Sequence, residues 1–388
     1  RNLRWRPGRV KTSKKIKRVA FVSDAVFPWH KGGKETRLYE ISKRLVSDTC
    51  EVHIYTMKWW QGPTVIQYGD IYFHALCKLY PLYRGERRSI RQAILFGLAT
   101  SKLLFARFDV LDVDHMPFFP LFSARLVTWL RGKKLYATWH EVWGKEYWQE
   151  YLSGVPAWFG QVVERLSLMV PDVIISNSDH TTACLRRAGC TKDIKTVPLG
   201  VDIKSIYHTK SLGQASDVIF VGRLLSHKNA DLLVQAIAIV KKSKPRILCH
   251  IVGKGPEELK LKKAVRDLGL QNNVRIFSQV ESHDELYGLM KASKMLVLPS
   301  IREGFGLTVV EANAAGLPVI TTSHKNNAAK DLIREGINGF LAEPNARSFA
   351  EKILQTLKSI EAMDPIRGIE KYDWRVVAQN MKQSLALG

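Results

Sequence analysis

The sequence predicts an α/β protein built from two doubly wound units, in which parallel strands alternate with helices. Three observations lead to this fold class. The chain has 388 residues, which is more than one hydrophobic core usually supports. Short apolar runs alternate with helix-length segments, and this pattern starts twice along the chain. Residues 197–202, which include Pro198 and Gly200, and a polar stretch at 207–217 lie between the two halves and are typical of a hinge.

The first unit is predicted over residues 18–198, after a basic tail at residues 1–17. Helices are predicted at about 35–46 and from Ser89 onward. Strands are predicted at the short apolar runs 18–23, 51–56, 71–74, 110–113, 134–138 and 173–176.

The second unit is predicted over residues 217–365, after a linker at 199–216. A last segment, 366–388, is predicted to form a C-terminal helix. Strands are predicted at 218–221, 247–252, 274–277, 295–298 and 319–321, with helices at 230–242 and 257–268.

Composition argues against several other classes of protein. The five cysteines are scattered and lack paired spacing, which predicts reduced thiols, no structural zinc and a cytoplasmic location. No run reaches about 18 apolar residues, so no membrane-spanning helix is predicted. No apolar core follows the N-terminal cations, so a secretory signal is not expected either.

The chain is strongly basic, with a net charge of +23. A stretch at residues 78–107 interleaves cations with aromatic and aliphatic residues. If it is helical from Ser89, it suits a peripheral helix at an anionic membrane surface, whereas a core-facing helix with a solvated basic rim is an equal alternative. No recognised nucleic-acid module accompanies the charge. The charge therefore predicts a non-specific attraction to polyanions and no specific nucleic-acid partner.

The most informative segment, residues 299–319, reads PSIREGFGLTVVEANAAGLPV. An apolar run precedes it and a helix follows, so its turn lies at the carboxyl end of a buried parallel strand. At the start of that helix, the backbone N–H groups of Gly306, Leu307 and Thr308 can point at a phosphate. Glu311, about one turn later, would face the same crevice.

Cations and glycines follow the first strand of each unit. Gly222, Arg223 and Lys228 come after the first strand of the second unit, where two cations suit a diphosphate leaving group. Gly32 and Gly33 precede a helix in the first unit, so a ligand could approach the backbone closely there. An ordinary glycine turn is the alternative for this pair.

His140 ends a strand of the first unit and would lie at the lip of a cleft. Five aromatic residues follow it, and we expect most of them to pack, although stacking on a sugar or a lipid is open. They are Trp143, Tyr147, Trp148, Tyr151 and Trp158. Asp112 and Asp114 form an Asp-x-Asp pattern, which is frequent by chance and is not predicted to hold a metal.

The segment at 299–319 and the Gly-Arg-x-x-x-x-Lys motif together closely resemble the signature of the retaining GT-B glycosyltransferases called glycosyltransferases group 1, or family four. The resemblance covers residues 18–385. It implies two Rossmann-like domains that face each other across a cleft, with the last helix crossing back onto the first domain. It also implies that a hexose moves from a nucleoside diphosphate sugar to a hydroxyl of a glycan or lipid-linked acceptor.

The resemblance assigns roles to the motif residues. Arg223 and Lys228 would stabilise the diphosphate. Glu303 and His140 would orient the sugar, and Glu311 would accept hydrogen bonds from the ribose hydroxyls. The glycine loops and the helix N-terminus described above would bind the phosphates. Protein cations would replace a metal, so neither a metal nor another cofactor is expected.

Some questions stay open at this point. The family often has glycine where this chain has Gln279, near the nucleobase, so the base can be that of UDP, GDP or ADP. Three other functions compete: a nucleotide-sugar epimerase of GT-B fold, a phosphorylase-like enzyme that carries pyridoxal phosphate, and a non-enzymatic polyanion-binding protein.

Overall fold

The computed structural model describes residues 16–85, 87–280 and 282–387. Most of the predicted basic tail lies outside these residues. The strands are β1 Lys17–Val22, β2 Cys50–Lys58, β3 Val65–Tyr68, β4 Ile71–Lys78, β5 Tyr83–Arg84, β6 Arg87–Arg88, β7 Val110–Asp114, β8 Leu135–Trp139, β9 Val173–Ser176, β10 Asp193–Thr196, β11 Ser216–Val221, β12 Cys249–Val252, β13 Val274–Phe277, β14 Ser293–Leu298, β15 Val319–Thr322 and β16 Gly339–Ala342.

Helices connect most of these strands, whereas β2 to β6 follow one another without a helix between them. The helices are α1 Gly33–Leu45, α2 Ile90–Thr100, α3 Phe119–Leu130, α4 Gly144–Leu152, α5 Gly154–Ser167, α6 Asp179–Arg187, α7 Ile203–His208, α8 Ala230–Lys241, α9 Glu258–Asp267, α10 His283–Lys291, α11 Leu307–Ala314, α12 Ala346–Ser359 and α13 Trp374–Ser384. Short 3-10 helices occur at Ser101–Phe105, Ser226–Lys228, Ala328–Leu332, Ile360–Ala362 and Glu370–Tyr372.

The first half forms an eight-stranded sheet in the order β10-β9-β8-β7-β1-β2-β4-β3. All neighbours pair in parallel except β3, which is antiparallel to β4. Phe21 of β1 lies in register with Ile54 on one side and Asp112 on the other. The strand order reverses at β1, because the chain moves to β2 on one side and later returns through β7 on the other.

The second half forms a six-stranded, all-parallel sheet in the order β13-β12-β11-β14-β15-β16. Here the reversal lies at β11, which pairs with both β12 and β14. Right-handed crossovers therefore place α8 and α11 on opposite faces of this sheet. In open parallel sheets, ligands bind outside the carboxyl ends of the strands at such a point.

Helices cover both faces of the first sheet and bury its apolar strands. On one face, α13 packs along α1, and Trp374 and Met381 join Ile41 in one core cluster. On the other face, Phe96 of α2, Leu121 of α3 and Ala157 of α5 share a second cluster. The residue boundaries of the two domains stay a prediction.

Every strand predicted from an apolar run is present, within a few residues of its predicted ends. The longer strands missed by the sequence reasoning, β3, β10 and β16, lie at the edges of the sheets. Strands β3 and β10 are mostly exposed and lack a continuous apolar run, whereas β16 is buried but only four residues long. Within the described residues, none of the helices is long and apolar enough to cross a membrane.

Candidate active site

The crevice at the reversal of the second sheet brings two predicted site residues into contact. Lys228 lies in the 3-10 helix that follows β11, and Glu303 lies in the loop after β14. Lys228 Nζ donates a hydrogen bond to Glu303 Oε1 at 2.5 Å. Both side chains are largely buried, so the ion pair is held in one place.

Arg223 lies at the wall of an adjacent cavity of about 570 Å³. The cavity is formed by the loops after β11, β12 and β13, and Gly222 and Gln279 also line it. Among the described residues, no hydrogen bond or ion pair joins Arg223 to Lys228 or Glu303. The structure therefore places the two predicted cations on the same side of the sheet, with Lys228 paired and Arg223 exposed at the cavity.

Helix α11 presents its N-terminus to the same crevice. Gly306 precedes it with φ +98°, and a Cβ at this position would lie 2.6 Å from the Cβ of Ala329. Both the left-handed backbone and the close approach require glycine here. No side chain of the described residues caps α11, so the amides of Leu307 and Thr308 are placed to bind an anion.

Glu311 lies about one turn into α11. The Tyr287 hydroxyl donates to Glu311 Oε1 at 3.2 Å. Burial raises the pKa of Glu311 to about 7, and the hydrogen bond from Tyr287 offsets part of that rise. The carboxyl group of Glu311 therefore titrates near neutral pH. A ligand that donates a hydrogen bond to it will favour the ionised form.

His140 is held by an acidic partner at the carboxyl edge of the first sheet. Its Nε2 lies 3.0 Å from Oδ1 of Asp114, whose other oxygen accepts from Ser23 Oγ at 2.5 Å and lies 3.5 Å from Lys34 Nζ. Burial alone would raise the pKa of Asp114, but Lys34, His140 and Ser23 together hold it well below its usual value. The ionised Asp114 therefore orients the imidazole ring.

A buried ion cluster beside Gly32 and Gly33 was missed by the sequence reasoning. Lys34, in the first turn of α1, lies 2.9 Å from Asp24, and Arg88 approaches the same carboxylate at 3.1 Å. Asp24 is fully buried. Arg88 is 64 positions from Asp24 in the sequence, and the one available signal was an acid two residues after β1 and a lysine after the glycine pair. The nearest side-chain atom to a Cβ on Gly33 would be 4.0 Å away, so the approach to this end of α1 is open.

Both carboxylates of the Asp-x-Asp pattern have protein partners. Asp112 accepts from Thr138 Oγ1 at 2.6 Å, and burial raises its pKa to about 7. Asp114 is bound by His140, Ser23 and Lys34, as described above. Within the part of the chain that the structure describes, no group of three or more His, Cys, Asp or Glu residues could hold a metal ion.

The two halves of the protein touch at the loop that carries Glu303. The carbonyl oxygen of Gly304 accepts from Ser178 Oγ at 3.1 Å and from Thr181 Oγ1 at 3.4 Å. A Cβ on Gly304 would lie 2.9 Å from the carbonyl oxygen of His140, so glycine allows the loop to reach the end of β8. His140 and Glu303 therefore lie on facing walls of one cleft.

The aromatic residues after His140 divide into a packed group and an exposed one. Trp143 and Tyr147 pack edge to face, and Trp148 and Tyr151 join them. The Arg302 guanidinium lies 3.8 Å from the ring centroid of Tyr147, across the cleft. The prediction that most of these residues pack is confirmed. Trp158 is the exception, because it points outward from α5 with 64% of its surface exposed.

Two family models match nearly the whole chain between them. A model described as Glycosyltransferase Family 4 matches residues 31–205, and one described as Glycosyl transferases group 1 matches residues 208–367. One component of human phosphatidylinositol N-acetylglucosaminyltransferase is 25% identical over 94% of this chain and 75% of its own. The chain spans 20–35% of the length of three further curated relatives that it matches.

Solved structures share the architecture of both halves. Sucrose-phosphate synthase from Thermosynechococcus elongatus has a TM-score of 0.74 and 20% identity, over 95% of this chain and 98% of its own. Anabaena HepE, solved with UDP and glucose, has a TM-score of 0.70 and 18% identity, over 96% and 100%. At these identities the similarity shows the fold. The matched names are those of transferases and synthases, which does not favour the epimerase or polyanion-binding alternatives.

Proposed function

The chain belongs to the group 1 glycosyltransferases of GT-B fold, and on that premise we propose that it is a retaining hexosyltransferase. It moves a hexose from a nucleoside diphosphate sugar to a hydroxyl of a glycan or lipid-linked acceptor. The observation that carries this proposal is the meeting of the Lys228–Glu303 ion pair with His140 across one cleft, beside the N-terminus of α11.

The second domain holds the donor in this proposal. The nucleobase occupies the cavity beside Gln279, and the ribose hydroxyls donate to Glu311. The diphosphate lies between Arg223, Lys228 and the first amides of α11. Negative charge grows on the leaving diphosphate in the transition state, and fixed positive groups at that place stabilise it most effectively. These groups supply the charge that a metal ion provides in other sites, so the proposal includes no metal and no other cofactor.

Glu303 and His140 bind the hexose from opposite walls of the cleft. Because Lys228 holds Glu303 and Asp114 holds His140, neither side chain needs to reorganise when the sugar arrives. Glu303 and Asp114 are already engaged by cations, which leaves neither as a free nucleophile. We therefore favour a front-face displacement. The bond from the anomeric carbon to the phosphate oxygen breaks, the acceptor oxygen bonds to the same face, and the leaving phosphate takes the acceptor proton.

The first domain holds the acceptor, on the side of the cleft lined by Lys34, Arg88 and the packed aromatic residues after His140. A lipid-linked acceptor would be reached at the cytoplasmic face of an anionic membrane. HepE was solved with UDP. Its similarity in fold to this chain supports a nucleoside diphosphate sugar as the donor and does not identify the base.

A panel of UDP, GDP and ADP sugars, measured by thermal shift, tests this proposal. We expect the sugars of one base to raise the melting temperature of the wild-type protein, because a ligand that binds the folded state alone stabilises it. The same sugars should release nucleoside diphosphate when an acceptor is present. If no nucleotide sugar shifts the melting temperature or is consumed, the proposed function is wrong.

A further inference from the structure

Large apolar side chains on the surface are concentrated on one part of the first domain. Of the 27 exposed large apolar residues in the described chain, 14 lie between residues 90 and 169. This stretch holds α2, α3 and α5. Soluble domains rarely leave a contiguous apolar surface uncovered, and where they do it marks a site of interaction.

Each of the three helices carries an apolar stripe on its outer side. On α2, Ile90, Ile94 and Leu98 are exposed at a spacing of four residues, which places them on one face. The 3-10 helix that follows ends in Phe105, which is 87% exposed. The inner side of α2 is separate, since Phe96 is buried in the core.

Helices α3 and α5 repeat this arrangement. Trp129 is 70% exposed, and Leu126 and Leu130 are exposed beside it on α3. On α5, Trp158 and Phe159 are exposed. Indole rings are the side chains that favour the boundary between water and lipid.

The three helices lie on the same face of the sheet. Helices α3 and α5 belong to successive crossovers, from β7 to β8 and from β8 to β9, that step in one direction along the sheet. Right-handed crossovers in one direction put their helices on one face. Helix α2 packs along α3, and a Cβ on Gly97 would lie 2.6 Å from the Cβ of Phe119. We call the outer side of α2, α3 and α5 the three-helix face.

The three helices of this face carry cations and no exposed acid, while the neighbouring α4 exposes Glu146 and Glu150 and Arg125 of α3 pairs with Asp172. Helices α2 and α3 contain no acidic residue, and the one acid of α5, Glu164, is buried and accepts hydrogen bonds from Trp143 and Gly144. Exposed cations border the face, among them Arg91 and Arg165. An apolar surface with a basic rim complements an anionic lipid bilayer. It does not complement a second copy of this chain, which carries the same net charge of +23.

We propose that the three-helix face docks the enzyme on an anionic bilayer, with Trp129 and Trp158 inserted at the level of the lipid headgroups. Helices in this fold begin at the carboxyl edge of the sheet, so the face starts at the cleft. Arg88, two residues before Ile90, already contacts Asp24 in the site. Docking does not depend on which nucleotide or sugar the enzyme uses. We also infer that docking brings a lipid-linked acceptor to the cleft, and this second step rests on the proposed function.

Flotation of the full chain with vesicles tests the docking. The vesicles contain phosphatidylcholine with or without phosphatidylglycerol. The wild-type protein should bind the anionic vesicles, and part of this binding should resist high salt because the indoles insert. The pair of substitutions Trp129→Glu and Trp158→Glu should weaken binding by at least about tenfold. Leu259→Glu changes an equally exposed apolar residue on α9 and should bind like the wild type.

Quenching of tryptophan fluorescence by brominated lipids gives a second readout. Trp129→Phe with Trp158→Phe should keep binding and lose most of the quenching, because the other tryptophans among the described residues are buried or half-buried. The proposal is overturned if the Glu variants bind like the wild type, if salt removes all binding, or if deletion of residues 1–15 alone abolishes it. A dimer that the Glu variants dissociate, without vesicle binding, would make the face an interface between copies instead.

Donor turnover measured without vesicles separates this proposal from the proposed function. The Glu variants change no residue of the donor site and should consume nucleotide sugar as the wild type does. If no protein consumes a donor while the vesicle results hold, the proposed function fails and the docking stands. If turnover is normal and vesicles are not bound, the docking fails alone.

Discussion

The ion pair between Lys228 and Glu303 keeps two polar groups in position before a donor binds. A lysine and a glutamate that were free in the apo protein would lose side-chain entropy on binding the sugar phosphate. Here the partner fixes each of them, so the proposed reaction would need less reorganisation of these side chains. His140 gains the same advantage from Asp114.

Arg223→Ala tests the leaving-group role at the residue scale. The variant should fold normally, because Arg223 is exposed, and should lose about 10²- to 10³-fold in turnover, or about 2.7–4 kcal/mol of transition-state stabilisation. Steady-state release of nucleoside diphosphate measures this loss. Arg347→Ala, which removes an exposed arginine from α12, is the matched control and should be fully active. Full activity in both variants would remove Arg223 from the site.

The raised pKa of Glu311 predicts how stability depends on pH. Its folded pKa of about 7 lies above its ordinary value of 4.5, so the folded state binds the proton more tightly than the unfolded state. The resulting stabilisation is complete below about pH 4.5 and is lost as the pH rises through about 7, at about 1.4 kcal/mol per pKa unit. Melting temperatures of the apo protein should therefore fall toward alkaline pH more steeply in the wild type than in Glu311→Gln. Parallel pH profiles would contradict this prediction.

The folded apo protein favours the protonated form of Glu311, and binding of the nucleotide-sugar donor should favour the ionised form if the ribose donates a hydrogen bond to Glu311. Ribose hydroxyls favour the ionised carboxylate, so binding below about pH 7 should release close to one proton. Calorimetric titration with the nucleoside diphosphate, in two buffers of different ionisation enthalpy, measures the release. Glu351→Gln on the exposed side of α12 should release as many protons as the wild type, whereas Glu311→Gln should release fewer. Equal release in Glu311→Gln would place the ribose elsewhere.

The candidate site residues that the sequence indicates are those in short local motifs. Glu303, Glu311, Arg223 and Lys228 lie within segments of about ten residues each, where spacing and a neighbouring strand are visible. The cluster around Asp24 could not be predicted as a whole, because its bonds join loop, helix and strand residues from distant parts of the chain. The hydrogen bond between Ser23 and Asp114, for example, spans 91 positions.

At the scale of elements, the turn before α11 shapes the proposed anion site. Gly306 has both a left-handed backbone and a tight contact with Ala329, whereas Gly316, at the other end of α11, has φ +86° and no heavy atom near its missing Cβ. Gly306→Ala should therefore destabilise the protein by more than the about 1–2 kcal/mol expected for a left-handed alanine. Gly316→Ala should show that smaller cost alone. Chemical denaturation compares the two variants, and equal losses would mean that the contact with Ala329 is easily relieved.

The secondary structure could largely be predicted, because buried parallel strands are continuous apolar runs with helix-length segments between them. The outer side of a helix is harder to predict. In α2, the residues at 90, 94 and 98 are as apolar as the buried residue at 96, and the sequence alone does not tell which side meets the core. The three-helix face could therefore not be distinguished from core packing until the positions of α3 and α5 were known.

For the whole molecule, two reversals of strand order face each other. Each doubly wound sheet opens a crevice at its carboxyl edge, and the contact between Gly304 and the end of β8 joins the two crevices into one site. The three-helix face meets this cleft along one side. In the two proposals, the donor, the acceptor and the bilayer occupy separate surfaces that converge on one point.

The central claim is that this convergence transfers a hexose with retention of configuration. Proton NMR of the reaction with the donor identified by thermal shift tests it directly, since it follows the anomeric proton of both the donor and the product. From an α-linked donor we expect an α-glycoside, formed together with one equivalent of nucleoside diphosphate. A β-glycoside would contradict the front-face mechanism, and an epimerised donor without release of nucleoside diphosphate would contradict transfer itself.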